Sequence, residues 1–341
     1  MGILGAGSWG TALSILLYTN GHQVSLWEFD EKQAEKLSST RKNPIFLPGV
    51  DIPADMEISS NLKNVATDQD ILVIALPSHI VRDVGEQLAE IPLGEPILVS
   101  CSKGVENYTL LRMSEVLQET IPSVRFDHIV ALTGPSHAEE VGRQVPTVLV
   151  AASINSHASG MIQDVFMNPV FRVYTSRDVV GAELGGAFKN VIAIAAGISD
   201  GVNFGDNTKA AILTRGIVEI TRLGTVMGAN AKTFAGLSGI GDLIVTCTSK
   251  HSRNRFVGEQ IGHGRPLKDI LDEMTMVAEG VRTTQSTYDL SLRYEVEMPI
   301  TKEVYKVLFE GKDPQKAVND LMTRDPKAED VDTYLDKNGN Y

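Results

Sequence analysis

Short apolar runs alternate with amphipathic stretches through the first half of the chain. Residues 2–4, 23–28, 71–76, 96–100, 129–133 and 147–151 carry the compact apolar character of buried strands, and 171–174 adds one more. Between them, residues 9–19, 31–38, 80–91 and 110–120 repeat with helical period. Buried strands separated by helices of about ten residues predict a doubly wound parallel sheet, an α/β Rossmann-like domain over residues 1–177. Past Asp178 the strand signals stop. Helices are predicted over 179–199, 208–227, 231–237, 242–247, 253–262, 267–274, 284–294, 300–309 and 314–322. An all-α domain over 178–323 therefore follows the α/β domain, and the charged residues 324–341 read as a mobile tail. The opening strand is short, which suggests that a few residues have been lost before Met1.

The first strand runs into Gly5-Ala6-Gly7-Ser8-Trp9-Gly10 and then a helix. Glycines at these positions permit a tight turn, close backbone approach to a pyrophosphate and close packing of helix on strand. The anion would sit on unpaired N–H groups at the helix N-terminus; the bland alternative is a purely structural turn. The second strand ends in Glu28-Phe29-Asp30. A carboxylate there can accept hydrogen bonds from adenosine ribose hydroxyls and repel a 2′-phosphate. Asp30 is placed to cap the helix that starts at Glu31, so Glu28 is the ribose candidate, and NAD is favoured over NADP.

Strands 71–76 and 97–100 run into Pro77-Ser78-His79 and Cys101-Ser102-Lys103-Gly104, loops expected to face the cofactor crevice. His79 reads as the border of a helix start rather than a general acid. Lys103 is either a solvated loop lysine or a cation that holds an anionic substrate. Thr133-Gly134-Pro135-Ser136-His137-Ala138-Glu139 repeats the strand-then-glycine-turn logic.

Lys189 lies in one of the most apolar helical stretches, where Glu183, Gly186, Asn190, Ala193 and Gly197 share a face beside it. That face is bare except at one polar point, as if something flat lay against it. A desolvated lysine suits proton transfer near neutrality; a lysine whose stem packs while its ammonium reaches water is the alternative. Asp242 and Thr246 are one turn apart, so they project together, although Asp242 could simply cap its helix. Ser252 is a candidate N-cap with Arg253 and Asn254 in the first turn. Arginine there opposes the helix dipole unless an anion is bound, which points to phosphate.

Composition narrows the field. A net charge of -12 leaves no basic surplus for nucleic acid. Two cysteines, Cys101 and Cys247, suggest neither a disulfide framework nor a metal site, and a reducing cytoplasm is expected. No apolar run approaches the length of a membrane span on this reading, so no stable membrane insertion is expected.

Taken together, the glycine turn, Ser102-Lys103-Gly104, Gly134-Pro135-Ser136, Lys189-Asn190, Gly239-Ile240-Gly241-Asp242, Ser252-Arg253-Asn254 and Val277-Ala278-Glu279-Gly280 resemble, in order and spacing, the bacterial-type NAD(P)-dependent glycerol-3-phosphate dehydrogenases. The resemblance implies reversible reduction of dihydroxyacetone phosphate, a small phosphorylated substrate, to sn-glycerol 3-phosphate for phospholipid synthesis. It implies an N-terminal cofactor domain, a helical domain that completes the site, and a homodimer, for which the apolar stretch 208–227 is the expected surface. Carried over by position, Lys189 is the acid/base, supported by Asn190, Asp242 and Thr246. Lys103 contacts substrate and cofactor. Gly134, Ser136, Asp242, Ser252, Arg253 and Asn254 contact substrate, and Ser8, Trp9, Ala138, Arg253, Val277 and Glu279 contact the cofactor, with Phe29 and Pro77 also at its site. Many members carry a basic residue where this chain has Phe29, which again leans to NADH.

Rival readings are a β-hydroxyacid or 6-phosphogluconate dehydrogenase, an opine-type dehydrogenase and a noncatalytic dinucleotide-binding redox sensor. The first group places asparagine four residues after its lysine, where this chain has Ala193; here Asn190 is adjacent instead.

Overall fold

The computed structural model describes residues 1–326 and 329, so most of the tail expected over 324–341 lies outside the described residues. The chain divides into two compact units, residues 1–103 with 113–179, and residues 104–112 with the chain from Val180 onward.

The first unit is built on an eight-stranded sheet. Its strands are β1 (Gly2–Leu4), β2 (Ser25–Trp27), β5 (Glu57–Ser59), β6 (Ile71–Ile74), β7 (Ile97–Ser100), β8 (Ile129–Thr133), β9 (Thr147–Ala152) and β10 (Phe171–Ser176); β3 (Lys42–Asn43) and β4 (Leu47–Asp51) form a separate hairpin. The order is β10-β9-β8-β7-β6-β1-β2-β5. β1 pairs in parallel with β2 on one side and β6 on the other, so the winding reverses across β1. At such a switch point the strand carboxyl ends leave a crevice for ligand. Ile3, Leu13, Leu26, Val73, Val99 and Leu132 fill the core beneath it.

Four departures from the sequence reading have local causes. The sheet is not wholly parallel, because β9 runs antiparallel to β8. The link between them holds only the short helix Ala138–Val141, not the full crossover helix that parallel strands require. The edge strand β5 and the β3/β4 hairpin were not foreseen. β5 has only three residues, and β4 contains Pro48 and Gly49, both poor strand residues. The helix expected from 110 starts at Met113 instead. Tyr108 (φ 73) and Leu110 (φ 63) occupy the left-handed region, which a right-handed helix cannot include, and Val105 bridges Arg112 across the excursion.

In the second unit the helix Val179–Gly201 is the spine. Its 23 residues are long and apolar enough to cross a membrane, which corrects the expectation that no run reaches that length; 94% of its most apolar window is buried within the protein. Around it lie Gly205–Val226, Asp242–Thr248, Arg253–Gly262, Glu279–Arg293, Pro299–Phe309 and shorter helices. Glu279–Arg293 begins five residues before the 284 expected from the pattern. Residues 104–112 belong here, held by the buried ion pair of Arg112 with Glu183 at 2.5 Å. At Gly197 the expected bare face leaves no room for a flat ligand. A Cβ on Gly197 would fall 2.0 Å from the Arg255 carbonyl oxygen, and one on Gly258 would fall 2.1 Å from that of Ile194. The small residues thus bring the Arg253–Gly262 helix into backbone contact with the spine.

Candidate active site

In the first unit the glycine turn leads straight from β1 into the helix Ser8–Thr19. Gly5 has φ +107, where a side chain is strained, and a Cβ on Gly10 would lie 1.8 Å from the Gly5 carbonyl oxygen. Gly7 is different: nothing lies within 4 Å of where its Cβ would be. It is also the N-cap, and as a glycine it makes no side-chain capping bond. A side chain there would fill open space above the helix N-terminus, and leaving that space open is how a pyrophosphate cradle is built. The turn therefore fits the dinucleotide. Ser8 is buried and Trp9 half-buried at its rim.

The Glu28 carboxylate stands at the end of β2, only 6% exposed, and accepts the Asp30 N–H at 3.1 Å. Burial pushes its carboxyl above the ordinary range, partly opposed by that hydrogen bond. Asp30 caps the next helix, accepting the Gln33 N–H at 2.8 Å, while Phe29 is 78% exposed. The loops after β6, β7 and β8 are tied together. Ser102 Oγ donates to the Leu76 carbonyl at 2.7 Å, beside half-buried Pro77. Lys103 Nζ and Ser136 Oγ both donate to the Gly134 carbonyl, at 3.2 and 3.0 Å. Lys103 is partly buried rather than a solvated loop residue, and Gly134 holds φ +129. Ala138 is buried at the start of the helix that follows. His79 lies in the short 3-10 turn Ser78–Ile80 that borders a helix.

In the second unit Lys189 is 6% exposed, so the snorkelling reading does not apply. Its Nζ donates to Asp242 Oδ1 and, at 2.7 Å, to Thr246 Oγ1. A π-helical turn over Leu237–Gly241 precedes Asp242, which stands in the first turn of its helix with Oδ1 on the ammonium. Asn190 is buried next to Lys189. Cys247, in the same helix as Thr246, has its thiol pushed up to about 12 by burial, and Cys101 in the first unit is likewise pushed up to about 12, so neither is a ready thiolate.

Ser252 caps the Arg253–Gly262 helix, accepting the Arg255 N–H at 3.2 Å. Asn254 Oδ1 accepts the Gly280 N–H at 2.8 Å, which turns its amide NH2 the other way. Arg253 is exposed and donates to the Val277 carbonyl at 3.1 Å, which ties the helix start to the segment leading into Glu279. A guanidinium in a first turn, beside an amide donor, has the chemistry to take an anion.

Sequence reasoning missed several supports. Asn43, 1% exposed in the β3/β4 hairpin, donates to the Ala6 carbonyl at 2.8 Å and to Thr11 Oγ1 at 2.9 Å, so it braces the glycine turn from 37 positions away. The only local hint was the Asn43-Pro44 turn pair. Arg112 and Asp200 were missed as well, because their partners are distant.

A Rossmann unit with an uncapped glycine turn and a helical unit with a buried lysine–carboxylate–hydroxyl cluster define a two-unit nicotinamide-dinucleotide dehydrogenase. The family model for the N-terminus of NAD-dependent glycerol-3-phosphate dehydrogenase matches residues 1–159, and the one for its C-terminus matches residues 178–319. The chain is 54% identical over 327 residues to the glycerol-3-phosphate dehydrogenase (NAD(P)+) of a Thermoanaerobacter species, covering 96% of this chain and 98% of that one. It is 52% identical to the Prosthecochloris aestuarii enzyme of the same name, with 96% and 98% covered. The crystal structure of glycerol-3-phosphate dehydrogenase from Coxiella burnetii superimposes with a TM-score of 0.90 at 34% identity, covering 94% of this chain and 98% of that one. The chain belongs to the NAD(P)-dependent glycerol-3-phosphate dehydrogenase family, and so to the oxidoreductases.

Proposed function

We propose that the chain catalyses the reversible reduction of dihydroxyacetone phosphate to sn-glycerol 3-phosphate, in the cytoplasm, supplying glycerophospholipid synthesis. The observation that carries this reading is the Lys189 ammonium, buried against Asp242 and Thr246 in the unit whose Arg253 and Asn254 offer an anion seat. Bound NAD(P)H supplies the hydride. Lys189 gives its proton to the substrate oxygen as negative charge develops there, and takes it back in the reverse direction. Asp242 and Thr246 fix where Nζ points, and the Asp242 carboxylate opposes its charge. Asn190 adds a polar group beside it.

Ser252, Arg253 and Asn254 hold the substrate phosphate, so binding energy remote from the carbonyl is spent on orienting it. Lys103 is a second cation for the substrate, with Gly134 and Ser136 as backbone and hydroxyl contacts. Gly5, Gly7, Ser8, Trp9 and Gly10 hold the dinucleotide phosphates, with Pro77, Ala138, Val277 and Glu279 as further contacts. Glu28 accepts the ribose hydroxyls and Phe29 offers no cation to a 2′-phosphate, which favours NADH. The working form is a homodimer. Val218, Ile220 and Leu223, in the stretch expected to pair, are packed into the helical core, so the exposed first half of Gly205–Val226 is the part open to a second copy.

The assay follows NADH and NADPH oxidation with dihydroxyacetone phosphate, beside the reaction of NAD and NADP with 3-hydroxy acids and 6-phosphogluconate. Turnover is expected with the triose phosphate, faster with NADH. NADH binding with no triose phosphate turnover would instead favour the sensor reading.

A further inference from the structure

One half-buried charge cluster lies outside the groups assigned above. Asp200 stands at the C-terminal end of the Val179–Gly201 spine. Its Oδ2 accepts the Arg255 guanidinium from two nitrogens, Nε at 2.7 Å and Nη2 at 2.6 Å, and its Oδ1 pairs with Lys209 Nζ at 2.5 Å. All three side chains are largely sequestered, with 15% to 21% of their side-chain surface exposed. Arg255 also pairs with Glu259 one turn on, at 3.5 Å. A fork on one carboxylate oxygen, with a lysine on the other, fixes guanidinium orientation in a way a single ammonium cannot.

The backbone of the same residue is equally constrained. The Arg255 carbonyl lies so close to Gly197 that a Cβ there would be 2.0 Å from it, and the Arg255 N–H is taken by the Ser252 cap at 3.2 Å. Arg255 is therefore held to the spine through both its main chain and its side chain. It is also one residue past Asn254 and two past Arg253. The spine carries Lys189.

We propose that Arg255, locked by Asp200 and backed by Lys209, is a positioning residue: it sets the register between the phosphate-holding first turn and the Lys189 ammonium. The inference rests on the phosphate seat assigned to Arg253 and Asn254. Arg255 itself touches no substrate. Its guanidinium sets where the turn sits along the spine, and so where a phosphate-anchored carbonyl lies relative to the proton donor. A displacement of about 1 Å at such a joint costs on the order of a hundredfold in rate.

The test compares two substrates in Arg255→Lys and Asp200→Asn, with Arg253→Ala as the control on the seat itself. Dihydroxyacetone has the carbonyl but no phosphate. In Arg255→Lys and Asp200→Asn, kcat/KM for dihydroxyacetone phosphate is expected to fall about ten- to a hundredfold, with loss in kcat as well as a rise in KM. The slow turnover of dihydroxyacetone and the affinity for NADH should stay within about twofold, since neither uses the phosphate seat. Equal losses with both substrates would mean a merely structural role and overturn the proposal, as would no loss with either. If Arg253→Ala leaves the KM for dihydroxyacetone phosphate unchanged, the phosphate-seat reading fails and this inference falls with it. If Arg253→Ala raises that KM while both other variants behave as wild type, the seat stands and the Arg255 inference alone is wrong.

Discussion

The two units place polar groups for a ligand in contrasting ways. The glycine turn of the first unit uses six consecutive residues and, for the most part, no side chains: its chemistry is backbone N–H groups, to which Gly7 offers no side-chain cap. The cluster in the second unit is all side chain, and its members are far apart in sequence, with Lys189 53 positions from Asp242 and 57 from Thr246. Helix capping repeats the contrast. Asp30 caps from three residues away, whereas Glu219 reaches the N-terminus of Pro299–Phe309 from 81 positions away, accepting the Ile300 N–H at 2.7 Å and the Thr301 N–H at 3.2 Å. Local construction tolerates few substitutions but is indifferent to charge. Long-range construction depends on buried charges meeting, and is sensitive to pH and to removal of one partner.

Substitutions can break that contrast at either end. The largest effect is expected for Lys189→Met, which removes the proposed proton donor but keeps an unbranched apolar stem: kcat should fall by about a thousandfold, within the usual range for a general acid. Titration by fluorescence should find NADH affinity nearly unchanged, because the glycine turn is untouched. Turnover close to wild type would end the assignment.

Gly10→Ala tests the other unit. With its Cβ 1.8 Å from a backbone oxygen, the helix must shift off the strand, and a stability loss of about 3 kcal/mol is expected in denaturant unfolding. Gly7→Ala meets nothing within 4 Å, so it should leave stability alone while weakening NADH binding about tenfold, about 1.4 kcal/mol. Equal unfolding midpoints for both variants would show that the two glycines do not have separate jobs.

A pH effect should come from the second unit. Burial pushes the Glu219 carboxyl up to about 7, against the hydrogen bonds from Ile300 and Thr301, which pull it down. A carboxyl raised on folding holds a proton that the unfolded chain gives up. Its contribution is complete below the unfolded value of about 4.5 and is lost as pH rises through about 7. Thermal unfolding between those limits should therefore show stability falling by roughly 1.4 kcal/mol for each pH step of one, and by up to about 3 kcal/mol in all. Glu219→Gln should flatten that slope. An unchanged slope in the variant would assign it to other groups.

Much of the fold was legible because its signals are local. β1, β8 and the helix Arg253–Gly262 have the bounds that pattern and capping residues predicted. The hairpin and β5 escaped because short edge strands with polar or breaking residues carry little apolar signal. At the site, the residues were legible as types and the partnerships only in part. Helical spacing put Asp242 and Thr246 on one face, but their meeting with Lys189 rested on resemblance until the structure brought the three together. Glu183 looked like part of a ligand-facing stripe and is in fact the partner of Arg112.

By itself the sequence determined the alternation of strand and helix, the glycine turn with its uncapped helix start, the Asp30 and Ser252 caps, and the family. These depend on backbone preferences and hydrogen bonds that span a few residues. Only the tertiary structure decided that Gly197 of the spine serves helix contact, that Asp242 gives an oxygen to Lys189, that Asp200 holds Arg255, and that Asn43 braces the glycine turn. Each of those outcomes depends on which distant surfaces pack together. A buried polar group must find its partner wherever packing puts one, and no local period along the chain records where that is.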